Sequence, residues 1–167
     1  SSYVALRRVM RRLGGSEKVV APAPPTNALG DWYVNLLHID RIQMVMATSE
    51  RSLLTVLLPA RDLRRSLIPN LCDMMGMLLL EIGVAPELAA REIEAMQPAV
   101  VRRTESRSVL ASMNDFALAL RWHVREGLPP MEIMLRFADT PKSALREDGH
   151  NFGRPATVTR TLLVGNA

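Results

Sequence analysis

The chain has 167 residues, 48% hydrophobic and 23% charged, with a formal net charge of +4 and a single cysteine, Cys72. That is the make-up of one globular domain whose core needs no staple, and it excludes an internal disulfide and a Cys-based zinc site. No apolar run reaches the roughly 18–20 residues that span a bilayer, so no membrane association is expected, and the lone thiol fits a reducing cytoplasm.

From Tyr3 to Leu13 the pattern is a short strand running into a helix. Leu6, Met10 and Leu13 share helical spacing, and Gly14-Gly15 stops the segment. It lacks the apolar centre of a secretory signal; an organelle transit peptide is the lesser reading of its arginines. Ala21 to Ala28 is a proline-rich loop, read as a surface connection rather than a ligand for a partner groove. Three strands are predicted next, over Trp32–Ile39, Ile42–Ala47 and Leu53–Leu58, rich in β-branched and long apolar residues. Asp40-Arg41 and Ser49-Glu50-Arg51 supply the turns. Both faces of the first strand are largely apolar, which predicts an interior strand covered on both sides.

Pro59 ends the third strand, and from Leu63 the period becomes helical. Leu67, Leu71, Met74, Met75, Leu78 and Ile82 recur at three and four, with Pro69 expected to kink or divide the helix. Gly83 closes it and Pro86 opens another helix through about Met96. Val100-Val101 suggests a short strand. Ser106 then caps a helix over Arg107–Glu126, with Val109, Met113, Phe116, Leu120 and Val124 facing inward. Gly127, Pro129 and Pro130 break it. Met131–Ala138 reads as a short helix or strand. The tail from Asp139 is turn-rich until a last strand over Thr157–Val164.

Several blocks in order resemble one uncharacterised bacterial family, a domain of unknown function in small proteins. They are Leu29-Gly30-Asp31-Trp32-Tyr33-Val34-Asn35-Leu36-Leu37, Ser49-Glu50-Arg51-Ser52-Leu53-Leu54, Pro59-Ala60-Arg61-Asp62-Leu63, Arg107 through Phe116, and Ala138-Asp139-Thr140-Pro141. The Arg-Ser-Val-Leu-Ala-Ser-Met-Asn-Asp block is the most specific. The resemblance implies a shared fold and brings no activity. In that family a Cys follows the Thr-Pro pair, where this chain has Lys142, so thiol chemistry centred there is excluded.

The candidate binding residues are Trp32 and Asn35 on the first strand, with Arg107, Ser108, Ser112, Asn114 and Asp115 on the 107–126 helix. Ser108, Ser112 and Asp115 recur at three and four, and Arg107 adds positive charge near the helix start, which suits an anion. The favoured reading is structural: small Ser and Ala residues allow close packing, while Asn114 and Asp115 hydrogen-bond the Leu29–Tyr33 loop. His38, His123 and His150 lack metal-ligand spacing. His38 is placed at a strand end and His123 on the solvent side of its helix. No Gly-x-Ser-x-Gly elbow, dinucleotide fingerprint or Walker loop occurs, so neither a serine nucleophile nor a nucleotide cofactor has motif support. Glu87, Glu92 and Glu94 read as a solvated helix face, and Met74, Met75 and Met77 as core.

A pI near 10.0 permits nucleic-acid binding. Arg11, Arg12, Arg64 and Arg65 are the candidate phosphate-contacting surface. The expectation is a single α+β domain over 1–167: a small, mainly antiparallel sheet, a three-stranded meander plus one or two further strands, covered by helices. No cofactor and no metal are expected. The leading function is a non-enzymatic module that binds a protein partner or forms homo-oligomers. A nucleic-acid accessory protein comes second, and third a small enzyme with its site at Arg107, Ser112, Asn114 and Asp115.

Overall fold

Residues 27–96 and 106–165 are described by the computed structural model, with residues 62–66 described by backbone alone. The strand-forming runs become β1 (Trp32–Ile39), β2 (Ile42–Ser49) and β3 (Thr55–Pro59), an antiparallel meander in the order β1-β2-β3. The register pairs Tyr33 with Thr48 and Thr48 with Thr55, then Asn35 with Met46 and Met46 with Leu57. Cross-strand partners share a face. Tyr33, Thr48 and Thr55 therefore make one polar row across the sheet, closed by a 2.9 Å hydroxyl contact between Thr48 and Thr55.

β1 is an edge strand among the described residues, not the interior strand expected from its composition. Its odd-numbered face, Tyr33 to Ile39, is buried throughout, whereas Trp32 and Val34 are half-buried and His38 is exposed. An apolar strand needs cover on its faces, but composition does not say which strand sits at the edge. At the other edge the Leu57 N–H turns away from β2 to the Sδ of Met134, 3.3 Å off. Pro59 ends that strand without an N–H, so the edge presents little to pair with.

Among the described residues five helices follow: α1 (Leu63–Glu81), α2 (Pro86–Ala95), α3 (Arg107–Arg125), α4 (Pro130–Ala138) and α5 (Pro155–Gly165). α1 runs unbroken through Pro69 instead of dividing there. An exposed proline at that point removes a single helical bond, and packing on both sides holds the rest. α2 and α4 each open on proline at the first helical turn, where the missing N–H costs nothing. The Ser106 hydroxyl accepts the Val109 N–H at 3.4 Å, capping α3 as its sequence requires. Met131–Ala138, read as helix or strand, lies in a helix.

The tail is the clearest correction. Thr157–Val164 is β-branched enough to suggest a strand, yet it forms α5. Pro155, Thr159 and Leu163 are its buried residues; their four-residue spacing is a helical face that outweighs β propensity. The further strands expected beyond the meander are thus not found among the described residues; only isolated bridges, Lys142 with Gly153 and Glu147 with His150, order the tail. Val100-Val101, and Tyr3–Leu13 with most of the proline-rich loop, lie outside the described residues.

α1 and α4 pack on β3, α3 packs on β1, and α4 touches α1, α3 and α5. One core results. Leu29, Ile39, Met46, Leu54, Leu57, Met75, Leu78, Leu79, Met113, Phe116 and Leu120 are each less than 2% exposed. Each such side chain stabilises the fold by about 1.5–3 kcal/mol before conformational entropy is counted. The result is a single small α+β domain, and no described helix is long and apolar enough to cross a membrane.

Candidate functional site

Two of the signature blocks meet at one end of the sheet. The Ser49 hydroxyl donates to the Leu29 carbonyl (2.8 Å), and the Glu50 N–H donates to the Asp31 carbonyl (2.8 Å). The Glu50 carboxylate accepts the Asp31 N–H (3.4 Å), while Arg51 Nη1 donates to the carbonyls of Asn27 and Ala28, both 3.3 Å away. Ser52, fully buried, accepts the Thr159 hydroxyl from α5 at 2.8 Å. Gly30 sits in this knot at φ +71°, where a Cβ would come within 3.1 Å of the Arg51 Cγ. Leu53 holds φ 59°, an uncommon conformation for a bulky residue; the Leu53 N–H to Ser49 carbonyl bond (3.0 Å) pins it.

The centre of that knot is Glu92, read from sequence as solvated and in fact 4% exposed. Its Oε1 accepts the Asn27 Nδ2 (2.9 Å) and the Leu29 N–H (3.0 Å), and its Oε2 accepts the Ala28 N–H (3.0 Å). A buried carboxylate demands such donors. The signal for it was present: Glu92 falls three residues after the buried Ala89 and four before the half-buried Met96, on the inward stripe of α2. Glutamates are mostly solvated, but here the helical period, not the residue type, sets the burial.

The arrangement on α3 differs from the expected one. Asp115 does not reach the Leu29–Tyr33 loop; its side chain is 71% exposed and its Oδ2 lies 3.6 Å from Lys142 Nζ. Asn114 is exposed as well. Helical phase explains both, since Met113 and Phe116 claim the inner face and leave 114 and 115 pointing outward. The link between α3 and the first block exists, but through Tyr33, whose hydroxyl accepts the Ser106 N–H at 3.3 Å. Lys142, following the Thr-Pro pair, is 12% exposed at its side chain and stands 4.2 Å above the Phe116 ring. So the 107–116 and 138–141 blocks are joined by an ion pair and a cation–π contact.

Among the other candidates, Ser112 is buried, whereas Arg107 and Ser108 are exposed, with the Ser108 hydroxyl 3.3 Å from that of Ser106. Arg107, Ser112, Asn114 and Asp115 therefore do not converge on one concavity. Trp32 Nε1 and Asn35 Oδ1 are buried with no hydrogen-bond partner among the described residues. They stand on opposite faces of β1 and cannot form one site. Arg11 and Arg12 lie outside the described residues, as do the side chains of Arg64 and Arg65. His123 is half-buried, its ring 6.1 Å from that of Phe137, rather than on the solvent side. Met75 is core and Met74 half-buried, but Met77 is 54% exposed. No group of His, Cys, Asp and Glu among the described residues could hold a metal ion.

A cleft of about 310 Å³ opens beside Glu92, walled by Ala28, Leu88, Ala95 and Leu163 with Arg91. Among the described residues, none of the sequence-predicted site residues reaches it, and the Glu92 carboxylate is already committed to the 27–29 loop. What sequence reasoning missed lies instead along the outer face of α3. Leu118 is 65% exposed and Trp122 69%, one turn apart. Arg107, Ser108, Ala111, Asn114, Asp115, Arg121 and Arg125 complete the exposed face.

A family model described as a domain of unknown function, DUF6933, matches residues 7–157. No curated protein and no solved structure matches the chain.

Proposed function

The chain belongs to that family, DUF6933, and on that premise we propose that it works as a non-enzymatic protein-binding or oligomerising module, docking through the outer face of α3. The observation that carries this reading is the adjacency of Leu118 and Trp122, two large apolar side chains about two-thirds exposed on neighbouring turns. Single exposed apolar residues are ordinary, but a tryptophan beside a leucine, rimmed by arginines and carboxylates, is the composition of a docking patch. Tryptophan and arginine are the residues that most often dominate binding energy at such patches. The same face carries Arg107, Ser108, Asn114 and Asp115 from the most specific signature block, and none of the four is required by the core. An enzymatic reading would need polar groups gathered in a concave pocket; Ser112 faces the core while its supposed companions face out.

A cross-linkable residue placed at Asn114, on the rim of the patch, tests the reading in the full chain. Discrete cross-linked species should form and should disappear in Trp122→Ala. The melting midpoint of that variant should stay unchanged, because exposed substitutions typically move stability by no more than about 0.5 kcal/mol. Cross-linking that is indifferent to Trp122 would retire the proposal.

A further inference from the structure

Asp115, Leu118, Trp122 and Arg125 succeed one another at intervals of three, four and three residues, a stripe along about three turns. Asp115 and Arg125 bracket the two apolar residues with opposite charges. We propose that this stripe is the interface of a two-fold homodimer, in which α3 of one copy lies antiparallel to α3 of a second copy. The proposal rests on the reading of this face as a docking surface and names its occupant.

Antiparallel contact centred between Leu118 and Trp122 sets each residue against the one whose number completes the same sum. Leu118 then meets Trp122 of the second copy, and Asp115 meets Arg125 of the second copy. Symmetry repeats both contacts, as an isologous interface requires. A parallel pairing would oppose Asp115 to Asp115 and Arg125 to Arg125, which like-charge repulsion disfavours. The small, exposed Ala111 on the same face adds no bulk that would hold the helices apart.

The charges are free to engage. Asp115 is 71% exposed in its pair with Lys142, and Arg125 is 57% exposed in its 3.4 Å pair with Asp40. The Arg125–Asp40 pair is exposed on both sides, so exchanging it for a contact across the interface costs little; when Asp115 turns to the second copy, the largely buried Lys142 keeps its contact with the Phe116 ring. A single pair of helices buries less than the roughly 1,200 Å² of a stable standard interface, which places this dimer in the transient class.

Sedimentation equilibrium of the full chain, from low to high micromolar protein, tests the idea. The 18.6 kDa chain should move reversibly towards twice its mass. Asp115→Arg alone and Arg125→Asp alone should each weaken association by about tenfold or more, and the double exchange should restore it. Leu118→Asp should give a monomer whose helix content and melting match the parent chain. A chain that stays monomeric, yet still cross-links to another protein in a Trp122-dependent way, would overturn the homodimer and leave the docking reading standing. A monomer without Trp122-dependent cross-links would remove both. A dimer insensitive to these exchanges would place the interface elsewhere.

Discussion

Glu92 shows how one side chain can organise several segments that are remote in sequence. Three donors converge on its carboxylate from a loop 63 to 65 residues earlier. Glu92→Ala leaves two backbone N–H groups and an amide short of a partner, and each unsatisfied buried donor costs about 1–3 kcal/mol. Chemical denaturation should therefore show a loss of about 3 kcal/mol or more. Glu92→Gln keeps the oxygen that serves Asn27 and Leu29 and loses the acceptor for Ala28, so its loss should be clearly smaller. An equal loss for the two variants would mean that the bonds do not carry the effect. Gly30→Ala should cost about 1–2 kcal/mol by the same measurement, the penalty of a left-handed Cβ, with the close approach to Arg51 adding to it. Asp115→Ala should change stability by about 1 kcal/mol, because its carboxylate is exposed and the largely buried Lys142 keeps its contact with Phe116. A larger loss would return Asp115 to the structural role its sequence context suggested.

Among the elements, α3 divides its labour between two faces. Val109, Ser112, Met113, Phe116 and Leu120 are buried, and Phe116 stacks against Phe137 of α4 with ring centroids 4.7 Å apart. Phe116→Ala should lose about 3–5 kcal/mol, the range for aromatic truncation in a core. Leu118→Ala, two positions away, should leave the melt within about 0.5 kcal/mol of the parent. The contrast between these two variants in one thermal series checks the phase of the helix directly. The inner stripe was legible in the sequence because large apolar residues recur at three and four. The outer stripe was not, because Leu118 and Trp122 are apolar too, and pattern alone cannot tell a second buried stripe from an exposed one. α5 failed for a related reason: threonine and valine favour strands locally, but Pro155, Thr159 and Leu163 fit the core only as one helical face.

For the molecule as a whole, the signature blocks turn out to serve two separate ends. Leu29–Tyr33 and Ser49–Leu54 tie the start of β1 to the β2–β3 turn, to α2 and to α5, while the 107–116 and 138–141 blocks meet around Lys142 and Phe116. The contact expected between the Leu29–Tyr33 loop and Asn114 and Asp115 does not form; Tyr33 instead meets Ser106, the cap residue just before the 107–116 block. By itself the sequence determined the α+β class, the three strands of the meander, the caps and starts of the main helices and the buried stripe of α3. These rest on local periodicity, turn chemistry and capping, which act within a few residues. Only the tertiary structure decided that, among the described residues, β1 lies at an edge, Glu92 is an internal acceptor, Asp115 faces outward and Leu118 and Trp122 are exposed. Each of those depends on which distant element arrives to bury a surface or to satisfy a polar group, and no local pattern of residues carries that information.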